Sequence, residues 1–459
     1  MKLNYFFTFL FMCSLSINGQ NTFSKEDVLL DLEYLKTSLE ETHFDLYAHT
    51  NKKAFEENCL EVKKLIKNDS LSFLEVVNLL QTVVSKANNA HTRVAFHDYA
   101  QPYIAHYNSG GSVFPLEVAI ENSKVLIRKN WSSNANINIG AELKSINGLP
   151  INEVFKKIYP QIAAENLYFK NAQLEAFTLP RYYWQVFGEF KTFDVEIKHL
   201  GVIKTYKLDA INAMSDYEEN RHDIIKNTWD LKYLSTSSAY LRPGAFGGDE
   251  VRYRQFIDSA FIDIKTKSIK SLIIDLRNHS GGNDSFGDYL VSYIADRPFK
   301  WTSGFQLKTS ALLKEDIKKN RDTTQEFWNS ALVHENGEIY PYDFGFYEAQ
   351  EEHKRFKGKV YVLVNRQSYS QSTVTASQIQ DYGFGKIVGE ETAENPNLFA
   401  SIFTYELPIT KIKIDVPKGK IRRINGIDTG KGVVPDIVIK DYLLDEEDEI
   451  LEGLIKKIN

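Results

Sequence analysis

Val360-Tyr361-Val362-Leu363-Val364-Asn365-Arg366-Gln367-Ser368-Tyr369-Ser370-Gln371-Ser372 is the stretch on which the fold turns. Val360–Val364 reads as a strand buried on both faces, the pattern of a parallel sheet. A polar turn follows, and Thr373–Gln380 then takes up helical spacing. Strand, turn and helix in that order make half of a β/α unit. A serine at such a junction has its oxygen near the free N–H groups of a helix N-terminus, which favour a developing oxyanion. This is the logic of a nucleophile elbow without the G-x-S-x-G sequence. The commoner use of a serine there is as a helix N-cap, so the junction alone leaves both readings of Ser370 open.

The pattern extends in both directions. Upstream, Ser271–Leu276 is a second buried strand, and it runs into Asp275-Leu276-Arg277-Asn278-His279-Ser280-Gly281-Gly282. The glycine pair lets a backbone approach a substrate closely and aim N–H groups at it. A helix around Phe286–Ile294 follows. Downstream, Ile387–Gly389 begins a third strand, and Gly432-Val433-Val434-Pro435-Asp436 lies near the C-terminus. From Ala239 onward the chain therefore alternates strands and helices, which predicts an α/β class with a mostly parallel sheet.

Before that core the texture changes. Val113–Ala119 and Lys124–Arg128 pair as a hairpin, and Ile139–Gly148 brings a strand to an Asn-Gly turn ahead of a helix from Asn152. This describes a small β-rich module. Residues 210–236 are polar and read as a connection. Residues 24–90 read as helices: Ser24 with Asp27 resembles a capping box, Val28, Leu32, Leu35 and Leu39 repeat at helical spacing, and another helix starts at Ser72 with Glu75. His91 stands just past the end of that last helix.

The first residues differ again. Lys2 precedes an apolar run from Tyr5 to Leu15, then Ser16-Ile17-Asn18-Gly19-Gln20. That is the pattern of a secretory signal peptide, expected to be cut after Gly19. The run is shorter than the ~20 apolar residues a membrane span takes. The protein is thus expected to be exported, periplasmic or extracellular, with no membrane span once the signal is removed. A lipidated Cys13 is disfavoured, because Met12 precedes it and the apolar run continues. Removal of Cys13 leaves Cys59 alone, which excludes an internal disulfide.

Composition narrows the function. The formal charge of −6 comes without a basic block, which argues against nucleic acid or an anionic membrane as the main partner. The histidines include no H-E-x-x-H, no Cys pairs remain, and there is no G-x-x-x-x-G-K loop. No metal or other cofactor is expected.

The three core segments, in this order, resemble peptidase family S41, the tail-specific or C-terminal-processing proteases. D-L-R-x-N-x-G-G of the family is similar to Asp275–Gly282, with His279 where Asn is usual. V-L-V-N-x-x-[ST]-x-S is similar to Val362–Ser370. V-G-E-x-T resembles Val388–Thr392, and G-V-x-P-D resembles Gly432–Asp436. After the signal peptide over 1–19, the resemblance implies a helical N-terminal domain over 20–105, a PDZ-like domain over 106–205 and a ClpP/crotonase-like β/α catalytic core over 206–459.

It also implies residue roles, with Ser370 as nucleophile. One branch of the family supplies a Lys as base in a G-K-G segment. Here that segment is Glu394-Asn395-Pro396, so a Ser–Lys dyad is not expected, and Lys386 lies where it would point elsewhere. The branch resembling the tricorn core uses a His in D-[GA]-H-T, which resembles Asn89-Ala90-His91-Thr92. His91 is therefore the expected general base, with His279 as its rival. The branch's orienting Glu falls at Thr429, and the neighbouring Asp428 is taken as third member. Backbone N–H groups of Gly281 and Gln371 are the expected oxyanion donors. The implied function is a serine endopeptidase acting on a polypeptide, held by its C-terminus in the PDZ-like module. The alternatives are a catalytically inactive peptide-binding protein on the same scaffold, and an esterase or amidase on small substrates.

Overall fold

A computed structural model describes residues 22–458. The expected signal peptide, with Cys13, lies outside the described residues. The strands around the opening stretch form one six-stranded sheet in the order Trp229–Tyr233, Ser238–Pro243, Ser271–Asp275, Lys359–Val364, Lys386–Gly389 and Ile437–Val438. The first pair is antiparallel and every other pair is parallel. Leu272, Ile273 and Ile274 are completely buried, as are Val362, Leu363 and Val364. Burial on both faces explains why these strands read as unbroken apolar runs. The helices Glu250–Thr266, Asp284–Ser292 and Gln371–Tyr382 supply part of that cover.

Parallel register sets Asp275 beside Leu363, so both strands end at the same edge. The turns that follow them, Leu276–Gly282 and Asn365–Ser370, therefore emerge side by side. They are laced together: Ser368 Oγ donates to the Leu276 carbonyl at 2.7 Å, and Tyr369 N–H to the His279 carbonyl at 3.2 Å. Asp436 Oδ2 accepts from Ile387 N–H at 2.8 Å and so pins the third strand.

The acidic residue at the strand end is structural. Asp275 is fully buried and accepts from Tyr240, Arg242 and Arg277. Burial works against its charge, but Arg277 and Arg242 outweigh burial and hold the carboxyl well below its usual range. Removing one partner of a buried pair leaves an uncompensated charge. Asp275→Asn is therefore expected to lower stability by about 3–5 kcal/mol, read from the urea midpoint. A depressed folded-state pKa means a contribution present above the unfolded value, near pH 4, and lost only below it.

Two parts of the C-terminal region depart from the expected alternation. Ile339–Tyr342, Gly304–Lys308, Lys413–Arg422 and Phe399–Glu406 form an antiparallel sheet that the β/α pattern does not anticipate. Lysines and Pro417 inside Lys413–Arg422 disguise its two-residue period. Residues 210–236, expected to be a connection, contain the edge strand Trp229–Tyr233, whose mostly half-buried and exposed residues give it loop-like polarity.

The segment before the core holds a six-stranded antiparallel sheet ordered Val202–Asp209, Thr192–His199, Glu142–Ile146, Lys124–Asn130 and Leu116–Glu121, with Leu149–Pro150 beside Glu142–Ile146. The N-terminal helices Lys25–Thr42, Lys52–Leu65 and Phe73–Val84 start at Ser24, Asn51 and Ser72, each accepting from a backbone N–H. At the expected box, Ser24 Oγ accepts from Asp27 N–H and donates to Asp27 Oδ2, whereas the full reciprocal capping box forms at Ser72 and Glu75. Cys59 is a buried, unpaired thiol on the second of these helices. One apolar core joins these helices, the β-rich segment and the second sheet through Leu80, Phe114, Leu143 and Ile414.

Candidate active site

Ser370 directly precedes the first residue of the Gln371–Tyr382 helix. Its backbone has φ 56° and ψ −133°, a conformation strained for a residue with a side chain. Its hydroxyl caps nothing in the helix. The strain turns the side chain away from the capping role and toward the side of the turn, as in a nucleophile elbow. Of the two readings left open for this serine, the simple N-cap fails on that geometry.

The partner of Ser370 Oγ is His91 Nε2, at 3.2 Å. The two residues are 279 positions apart, and the intervening path explains how they meet. The Phe73–Val84 helix is followed by the short turn Ser85–Ala87, and Asn88 then reverses the chain with a left-handed φ of 49°. Beyond His91, Arg93–Val94 pairs with Asp415 and Ile414 of the antiparallel sheet. His91 is thus carried on a short arm anchored at both ends, and it is buried.

The far side of the ring faces a carboxylate. His91 Nδ1 lies 3.2 Å from Glu394 Oε1, although the two are not aligned for a good hydrogen bond. The other carboxylate oxygen accepts from Ser370 N–H at 2.6 Å. Glu394 therefore touches both reacting residues. Burial disfavours the imidazolium of His91, but the negative charge of Glu394, assisted by Glu165, outweighs it and raises the pKa above 6.5. The turn that carries Glu394 is fixed from the C-terminal motif: Val433 N–H donates to Thr392 Oγ1 at 2.8 Å, and Gly432 N–H to Glu391 Oε1 at 2.9 Å.

Asp428 does not occupy the expected third place. It accepts from Asn395 Nδ2 at 2.7 Å and from Gly430 N–H at 3.0 Å, in a loop on the surface. Asn395, the residue that the sequence reading set against the family Lys, is thus a hydrogen-bond partner of Asp428 rather than of Ser370. Sequence reasoning missed Glu394. The available signal was an acidic residue one place before Asn395, on the turn that leaves the third strand.

The expected oxyanion donors are only partly in place. Gly281 packs against the serine: a Cβ on it would lie 2.5 Å from Gln371 N and 2.8 Å from Ser370 Cβ, so only glycine fits. Gln371 opens its helix, so its N–H has no intrahelical acceptor. The Gly281 N–H, however, donates to His279 Nδ1 at 2.9 Å. That bond also answers the rival assignment of His279 as base. Its Nδ1 lone pair is used, its ring packs on Phe246, and burial lowers its pKa to about 4.

Ser370 and His91 open on a cavity of about 1190 Å³. Trp301, Phe169, Tyr369 and Leu398 are among its apolar walls. Trp301 Nε1 donates to Gln371 Oε1 at 3.1 Å, which ties the aromatic wall to the serine turn. No group of three or more His, Cys, Asp or Glu among the described residues could hold a metal ion.

A buried serine–histidine–glutamate contact, set where parallel strands end, is an arrangement suited to nucleophilic chemistry at the serine. The chain carries a peptidase family S41 domain: its residues 237–439 match the model of that family. The resemblance read from the three core segments is thereby borne out. The tail-specific protease of Haemophilus influenzae is 32% identical over 209 residues, covering 42% of this chain and 25% of that protein. The match thus spans about a quarter of that relative's length. Among solved structures, mature CPAF aligns over 90% of this chain and 92% of its own, with a TM-score of 0.63 and 13% identity. Mature CPAF complexed with lactacystin aligns over 90% and 94%, with a TM-score of 0.60 and 14% identity. These likenesses extend the shared fold well beyond the matched domain. No helix among the described residues is long and apolar enough to cross a membrane.

Proposed function

We propose that this chain is a serine endopeptidase that works through an acyl-enzyme on Ser370. The observation that carries the reading is the 3.2 Å contact of Ser370 Oγ with His91 Nε2. His91 takes the Ser370 proton as the oxygen attacks a peptide carbonyl. The same proton then passes to the leaving amine, and an ester remains on Oγ. Water, deprotonated by His91, releases the acid and restores the serine. Glu394 holds the ring and stabilises its charged form. Asp428 has no part in this scheme. Gln371 N–H supplies one oxyanion donor, and Gly281 N–H a second once substrate displaces it from His279.

The substrates are exported proteins or peptides, in keeping with the leader expected over residues 1–19. The helical segment over 20–105, the β-rich segment over 106–205 and the core over 206–459 serve as three working parts. The second acts as a PDZ-like module that captures a substrate C-terminus by strand addition.

One observation favours a second reading. With its Gly281 N–H on His279, the scaffold could bind peptides without cutting them. Cleavage of an unfolded polypeptide separates the two, together with labelling by a fluorophosphonate. The peptidase is expected to cut the chain internally and to be labelled on Ser370. A folded protein that does neither is the inactive binder. Turnover of small acyl esters with no cleavage of polypeptides would make it an esterase.

A further inference from the structure

Glu165 lies between the short turn Tyr159–Gln161 and the helix Leu167–Phe177, outside the family's core motifs. Its Oε1 accepts from Ala90 N–H and from Asn89 Nδ2, both at 3.0 Å. Asn89 Oδ1 in turn accepts from His91 N–H at 3.1 Å and from the Thr92 hydroxyl at 3.0 Å. On the other side, Thr92 Oγ1 is 2.8 Å from His43 Nε2, and His43 Nδ1 accepts from Asp45 N–H. Burial holds the His43 imidazole down at about 3, so it is neutral and its proton sits on Nε2. The arm that carries His91 is therefore gripped by side chains from two separate segments, and the Glu165 carboxyl is one end of that grip.

The second oxygen of Glu165 is buried with no hydrogen-bond partner. Burial first, and the charge of Glu394 second, push this carboxyl up to about 7. Arg93 opposes the charging of His91, while Lys170, with Lys86 beyond it, faces Glu165 from its own helix. Two carboxyls beside one imidazole cannot all titrate independently.

We propose that Glu165 is a positioning residue of the Ser370–His91–Glu394 site: one oxygen fixes the arm that carries His91, and in its ionised form its negative charge makes His91 a stronger base. This rests on the serine-peptidase reading above. It also makes the segment 162–166, which belongs to the β-rich part of the chain, a component of the catalytic centre.

The test is Glu165→Gln, whose amide oxygen can still accept from Ala90 and Asn89 but carries no charge. The ring of His91 is followed by NMR titration in protein with labelled histidines, assigned by a His91→Gln spectrum. A nearby negative charge favours the imidazolium, so its removal should lower the His91 pKa by about one unit. The acid limb of Ser370 labelling by a fluorophosphonate should move down with it. Glu165→Ala, which also loses the grip, should in addition slow labelling at the plateau by tenfold or more.

If Glu165→Gln leaves the His91 titration unchanged and alters only the thermal midpoint, its role is structural and the proposal is overturned. If the titration shifts but wild type is never labelled, the peptidase reading fails while Glu165 still governs His91. The two failures are thus distinguishable.

Discussion

Ser370→Ala is expected to reduce peptide hydrolysis by roughly 10⁴-fold or more, to the level that binding and oxyanion donors alone sustain. The size follows from the chemistry. In the proposed mechanism the hydroxyl oxygen is the atom that becomes acylated, and among the described residues no other hydroxyl is hydrogen-bonded to His91 Nε2. His91→Ala should fall by a similar factor, because an unassisted serine hydroxyl is a weak nucleophile near neutral pH. The double variant should be no worse than either single one, since the two side chains act as a unit. Neither substitution should unfold the protein. Ser370 caps no helix, and alanine relieves nothing that the fold depends on. The measurement is kcat/KM on an unfolded polypeptide, with circular dichroism as the control for folding. A variant lacking Ser370 that retains a tenth of wild-type cleavage would remove this residue from the mechanism.

The pH dependence of the same assay carries its own sign. The proposed mechanism requires neutral His91, whose pKa is raised above 6.5. Activity should therefore fall on the acid side of an apparent pKa above that of free imidazole, and it should be sustained as the pH rises.

The core was legible in the sequence because a parallel sheet buried on both faces has no polar positions to confuse its pattern. Val360–Val364 and Ser271–Asp275 emerge as strands, and the turns between strand and helix mark the functional edge. Ser370 and His91 were legible for a different reason, since short motifs around each resemble those of a known family. Their contact was not. It depends on Arg93–Val94 pairing with Lys413–Arg422, a sheet whose two-residue period is broken by Pro417 and by lysines. Glu394 was hidden for a third reason. Its role comes from the path of one turn, which Thr392 and Val433 fix through a side-chain bond that leaves no spacing signature. Asp428 was chosen by position in a family pattern. In the fold it bonds to Asn395 and to Gly430 N–H in a surface loop, a placement that position in a pattern does not encode.

Glu394→Gln is the second change with a large expected effect, a loss of about 10³–10⁴-fold in kcat/KM. A carboxylate accepts with both oxygens, and Glu394 uses one toward His91 Nδ1 and the other toward Ser370 N–H. An amide has only one oxygen. If that oxygen faces His91, the NH₂ group is driven against the Ser370 N–H, donor against donor, at a site where only 2.6 Å separates the heavy atoms in the wild type. If the oxygen faces Ser370, the NH₂ group donates to Nδ1 and forces the ring proton onto Nε2. That tautomer cannot take the serine proton. Both arrangements fail, and the second fails without any movement of the backbone, so the loss should appear in kcat while the thermal midpoint changes little. Losing the charge also removes what raises the His91 pKa, so the residual activity should show an acid limb shifted to lower pH. Asp428→Asn is the matched control. It removes an acidic group from the surface loop and should leave kcat/KM within a few-fold of wild type, as surface substitutions away from a site generally do. If Asp428→Asn were the crippling change and Glu394→Gln the mild one, the orienting carboxylate would be Asp428 after all, reached by a rearrangement of the loop from 425 to 431 on substrate binding.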